Sequence, residues 1–76
     1  MSEHIDTRRK IQDISSVKTF EELLENCILT DEDKMLMRLH YLNGKDFRFI
    51  GDSLGFSEST IKRRHKKILQ KLNKMF

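Results

Sequence analysis

Two glycines four residues apart, Gly51 and Gly55, constrain this chain more than any other feature. They fall in the window from Phe47 to Lys66, where apolar residues recur at helical spacing on either side of them. Phe47, Ile50, Gly51 and Leu54 stand at i, i+3, i+4 and i+7, one face of a short helix. Asp46 is placed to cap that helix, and Ser57 to cap the next. Two short helices that cross steeply need a small residue where their backbones meet, and Gly51 sits there. The sharp turn between them needs a residue that tolerates positive φ, and Gly55 supplies it. Ile50, Leu54, Phe56 and Ile61 occupy the positions that must point inward to lock the pair. A plain helical hairpin would not demand glycine at both places. The window therefore predicts a helix-turn-helix.

The rest of the chain is consistent with an all-α fold. Seventy-six residues allow one domain with a small core. The absence of proline, three glycines and 36% charged residues suit short helices joined by tight turns. A small bundle of about four helices is expected. Residues 1–18 read as a polar, flexible N-terminal arm carrying Arg8-Arg9-Lys10, with only Ile5, Ile11 and Ile14 to support a loose helix. The domain proper is expected over 19–76. Its first helix opens near Thr19, which forms a capping box with Glu22, and Phe20, Leu23, Leu24 and Cys27 make its apolar stripe. The second follows Thr30, with Asp31, Glu32 and Asp33 at the positive end of the helix dipole. Leu36, Leu39 and Leu42 line it, flanked by Met35, Met37 and Tyr41, and Asn43-Gly44 ends it. After Ser57 the last helix carries Ile61, Ile68, Leu69, Leu72 and Met75.

Charge is distributed unevenly. From Lys62 to Phe76 there are seven cations and no acid, whereas the remaining 61 residues carry eight cations against all 12 acids. A helical segment with that density of Lys and Arg is an electrostatic footprint for a polyanion. Other classes are excluded. No run approaches the ~18–20 apolar residues of a membrane span, and the N-terminus has no signal-peptide pattern, so a cytoplasmic, nucleoid-associated location is expected. Cys27 stands alone and reads as a small buried hydrophobe. His4, His40 and His65 lack the paired spacing of a zinc site, so no metal or cofactor is expected. No nucleophile–base pair or phosphate loop is visible, which argues against an enzyme.

From Leu29 onward the chain resembles region 4 of the bacterial sigma-70 family, the domain that recognises the −35 promoter element. The matching pieces are Leu29-Thr30-Asp31-Glu32 and Leu39-His40-Tyr41-Leu42 in the second helix. Phe47 to Gly55 looks like the family's scaffold helix. Ser57 to Arg64 resembles the start of its recognition helix, and Ile68 to Leu72 its C-terminal stretch. There are departures: Gly51 stands where many members have alanine, Phe49 replaces a usual glutamate, and His65 stands where an apolar residue is common. Phe49 on that outer face is suited to pack on a partner. Nothing resembles region 2, the part that melts DNA. The expectation is a stand-alone regulator of the kind phages and mobile elements encode, or a domain cut from something longer. Met1 favours the former.

A helix in the major groove presents its N-terminal turns to base edges. Glu58, Ser59, Lys62 and Arg63 project together from those turns, with Glu58 able to accept from a cytosine amino group and Arg63 to pair with guanine. The resemblance implies base contacts at the same four positions. The alternative for Glu58 is a residue that merely stabilises the helix dipole. Arg48, Thr60, Lys66, Lys67 and Lys71 are expected to meet the DNA backbone, and Thr60 has a second use within its own helix cap. Arg64 points back toward the acids of the second helix. Met35, Met37 and Tyr41 are either an adaptable patch for a protein, RNA polymerase or a sigma-like partner, or simply core. Two alternatives stay open. One is a protein-interaction module on polymerase or a sigma factor with weak DNA binding. The other is a homodimeric repressor, rather than a monomer, whose seam is Ile68, Leu69, Leu72, Met75 and Phe76.

Overall fold

The computed structural model describes the backbone of residues 3–75 and the side chains of residues 6–75. Met1, the side chains of His4 and Ile5, and Phe76, each invoked above, lie outside these bounds. Among the described residues five α-helices follow one another: α1 (Glu3–Gln12), α2 (Val17–Glu25), α3 (Asp31–Met37), α4 (Phe47–Leu54) and α5 (Glu58–Asn73). A π-helical turn, Arg38–Leu42, prolongs α3.

Most helix starts follow the sequence. Thr30 Oγ1 accepts the Asp33 amide at 3.1 Å while Asp33 accepts the Thr30 amide at 3.4 Å, a complete capping box. Asp46 accepts the Phe49 amide at 2.8 Å, and Ser57 that of Thr60 at 3.2 Å. The start of α2 differs. Ser16, not Thr19, is its cap, and its hydroxyl accepts the Thr19 amide at 3.3 Å. Either start leaves Phe20 and Leu24 on one face, so periodicity does not choose between them; the earlier cap gains most of a further helical turn.

The N-terminal segment also differs from the sequence reading. Where a polar arm was expected over 1–18, residues 3–12 form α1, which lies against α5. Ile11 is 2% exposed, Thr7 is buried, and the Thr7 hydroxyl donates to Asn73 Oδ1 at 2.8 Å. Ile11 closes one side of the core, and its burial offsets the cost of ordering a segment that is otherwise polar.

The core gathers Ile11, Phe20, Leu24, Leu36, Met37, Ile50, Ile61, Ile68, Leu69 and Leu72. Ile68, Leu69 and Leu72 are at most 2% exposed within their own chain, so they do not form the dimer seam considered above. On α3, Met35 and Met37 are separated by about 200° of helical rotation, and only one of them can face inward. Met37 does, with no exposure, while Met35 is 44% exposed. Arg38 grips Glu21 of α2 with both Nε and Nη2, at 2.6 to 2.9 Å. That bond holds the Glu21 carboxyl below its usual pKa and fixes α2 against the end of α3.

Candidate nucleic-acid interface

The corner between α4 and α5 is built on the two glycines. Gly55 has φ of +81°, the left-handed conformation that ends α4. Gly51 accepts two amides on its carbonyl, from Gly55 at 2.9 Å and Phe56 at 2.8 Å, which folds the turn back over it. A Cβ on Gly51 would lie 2.5 Å from the Phe56 carbonyl oxygen. Only glycine permits this approach. Ile50 and Ile61 are fully buried beneath the corner, and Leu54 and Phe56 pack against them.

Helix α5 is divided lengthwise. Ile61, His65, Ile68, Leu69 and Leu72 are buried, whereas Glu58, Ser59, Lys62, Arg63, Lys66, Lys67, Gln70, Lys71 and Lys74 are exposed. Six of those nine exposed residues are cations and one is an acid. Glu58 lies 3.9 Å from Lys62, and with both side chains at least half exposed the pair is easily exchanged for another partner. Among the described residues Arg63 makes no ion pair, and its guanidinium reaches only the Thr60 hydroxyl at 3.4 Å. Thr60 also shares a 2.9 Å hydrogen bond with the Ser57 hydroxyl. Its side chain is thus engaged in the cap of α5.

The structure brings Glu58, Ser59, Lys62 and Arg63 together on the first two turns of α5, with Lys66 and Lys67 on the next. Arg48 is exposed on α4. Lys71 follows Lys67 by one turn, its ammonium donating to the Ile28 carbonyl at 3.2 Å. Arg64 reaches back toward the start of α3, as expected. It lies 3.6 Å from Glu32 and 3.7 Å from Asp33, with its guanidinium 4.4 Å over the Phe56 ring. This contact ties α5 to the start of α3 and to the turn.

Of the two readings open for Met35, Met37 and Tyr41, burial in the core holds for Met37 alone. Met37 is core, and Tyr41 is half-buried with its hydroxyl 2.8 Å from His65 Nε2. Burial pushes the Tyr41 phenol up to about 12. Only Met35 remains on the surface. Around His65 the sequence reading missed an aromatic cluster: His40 stacks on Phe47 at 4.5 Å, and His65 lies 4.9 Å from Phe47 and 5.8 Å from Tyr41. His65 thereby fills the place of an apolar residue on the inner face of α5. Phe49 is 45% exposed on the outer face of α4, with Lys45 Nζ 4.9 Å from its ring centre.

A family model described as Sigma-70, region 4, matches residues 28–74, more than half of the chain. No curated protein and no solved structure is matched. The matched stretch runs from the loop before α3 to the end of α5 and contains the whole helix-turn-helix.

Proposed function

This chain belongs to the sigma-70 region 4 family, whose domains are DNA-binding helix-turn-helix units rather than catalysts, and from that premise we propose that it is a sequence-specific regulator of transcription. One observation carries the reading. The exposed face of α5 sets Lys62, Arg63, Lys66 and Lys67 together with Glu58 as the only acid. The N-terminal turns of α5 enter the major groove, with Glu58, Ser59, Lys62 and Arg63 toward base edges. Arg48, Lys66 and Lys67 meet phosphates, giving affinity and register without sequence information. Thr60 contributes to the backbone contact by holding the start of α5 in place. Lys71 joins the phosphate contacts only by releasing the Ile28 carbonyl. Among the described residues no helix is long and apolar enough to cross a membrane. A regulator of this kind acts where the promoter is, on the nucleoid.

Two substitutions test the reading. Arg63→Ala weakens binding to a selected site by about 1–3 kcal/mol and relaxes the preference at one base pair. Lys67→Ala weakens all sequences alike and flattens the salt slope by about one unit. Selection of bound oligonucleotides supplies the site, and salt-dependent mobility shifts supply the slope. Uniform loss in both variants would mean that α5 does not read bases.

A region-4 domain acts on transcription through another protein or by occlusion. The exposed Met35, with Asp31 and Glu32 exposed one turn before it, favours a contact with RNA polymerase or a sigma-like protein. Retention of polymerase by the wild type but not by Met35→Glu supports recruitment; retention by neither leaves occlusion as the mechanism. Met37 is unsuitable for this test, because a charge there would be buried in the core.

A further inference from the structure

We propose that the groove between the α2–α3 loop and the C-terminal end of α5 docks an acidic protein segment bearing apolar side chains. The groove has a volume of about 350 Å³ and is lined by Asn26, Cys27, Ile28, Lys71, Lys74 and Met75. Its apolar surface is conspicuous in so small a protein. Ile28 is 91% exposed, more than any other large hydrophobic side chain among the described residues, and Met75 beside it is 41% exposed. Single exposed apolar residues are ordinary, but two that share one concavity are a binding feature.

The groove is held in shape by the fold. Lys71 Nζ donates to the Ile28 carbonyl at 3.2 Å and so fastens the loop that displays Ile28 onto α5. Cys27 packs against the core on the inner side of that loop.

Charge selects the occupant. The lining includes two cations, Lys71 and Lys74, and no acid. An anionic partner is therefore favoured, and the apolar floor decides which kind. A nucleic-acid backbone has no apolar group to cover Ile28 and Met75, whereas a peptide with leucine-like side chains between carboxylates covers the floor and pairs with the rim. The groove also lies away from the first turn of α5: Glu58 and Lys71 are separated by about 20 Å along the helix. A partner seated there leaves the N-terminal turns of α5 free. The groove shares no residue with the base-reading positions Glu58, Ser59, Lys62 and Arg63, and Met35 is not part of its lining; Lys71 alone belongs to both the groove and the outer phosphate contacts.

The test uses the full chain and a short fluorescent peptide in which leucines alternate with glutamates. Saturable binding is expected, with amide shifts confined to residues 26–28 and 71–75. Ile28→Glu and Lys74→Glu each weaken it about tenfold or more, while Ile28→Glu keeps the wild-type melting temperature and DNA affinity. No saturable binding at millimolar peptide overturns the proposal. So does equal binding of a leucine–lysine peptide, or wild-type affinity in Ile28→Glu. Shifts centred on residues 58–63 would show that the peptide only mimics DNA, and overturn it too. If sedimentation shows a dimer that Ile28→Glu converts to monomer, the occupant is a second copy of this chain and the acidic-segment assignment fails.

Discussion

Gly51→Ala sets two effects of opposite sign against each other at the helix-turn-helix corner. Alanine is favoured over glycine in a helix interior by roughly 0.8–1.0 kcal/mol, so on propensity alone the variant gains stability. The structure adds a larger opposing effect. The new Cβ would lie 2.5 Å from the Phe56 carbonyl oxygen and 3.4 Å from the Ser57 carbonyl carbon and oxygen. Contacts under 3.0 Å are essentially never seen for a Cβ, and the atoms met are backbone, which cannot swing aside as a side chain does. The turn could yield only by stretching the Phe56 and Gly55 amide bonds to Gly51, now 2.8 and 2.9 Å. Overpacking of this kind costs about 1–3 kcal/mol, and more where the backbone must move. The net expectation is a loss of up to about 2 kcal/mol, a fall of up to roughly 15 °C in melting temperature for a domain of this size. Thermal melts followed by circular dichroism read this directly. Gly55→Ala is the control: its φ of +81° makes it strained, but nothing lies within 4 Å, so it loses only about 1 kcal/mol. A Gly51→Ala protein that melts several degrees higher than the wild type would refute the close approach of the two helices.

Two further outcomes follow from burial. Met37→Ala destabilises by about 2–5 kcal/mol because it empties a site in the core, whereas Met35→Ala stays within about 0.5 kcal/mol; urea denaturation of both checks which face of α3 is inward. The Tyr41 phenol, pushed by burial from 10.0 to about 12, keeps its proton in the folded chain where the unfolded chain releases it. Its contribution is therefore complete below about pH 10 and is lost as pH rises through about 12. Urea midpoints of the wild type and Tyr41→Phe should converge across that window, and parallel curves would show that the phenol is not buried.

The sequence by itself determined what depends on neighbours along the chain. Thr30, Asp46 and Ser57 cap helices because each accepts an amide three residues on, an interaction that needs only the local backbone. Gly55 ends α4 because a left-handed backbone disfavours a Cβ whatever surrounds it. The division of α5 into an apolar stripe and a cationic face is likewise periodicity, and with it came the candidate DNA contacts. Tertiary structure decided the rest, because an apolar pattern says that a face is buried but not what buries it. The Thr7–Asn73 bond spans 66 residues and the Tyr41–His65 bond spans 24, so neither has a local signature. Without α5 to receive Ile11, the first residues read as a polar arm. On α3, Met35 and Met37 are chemically identical and equally central to a helical stretch. Only the position of the other helices sends one into the core and leaves the other in water.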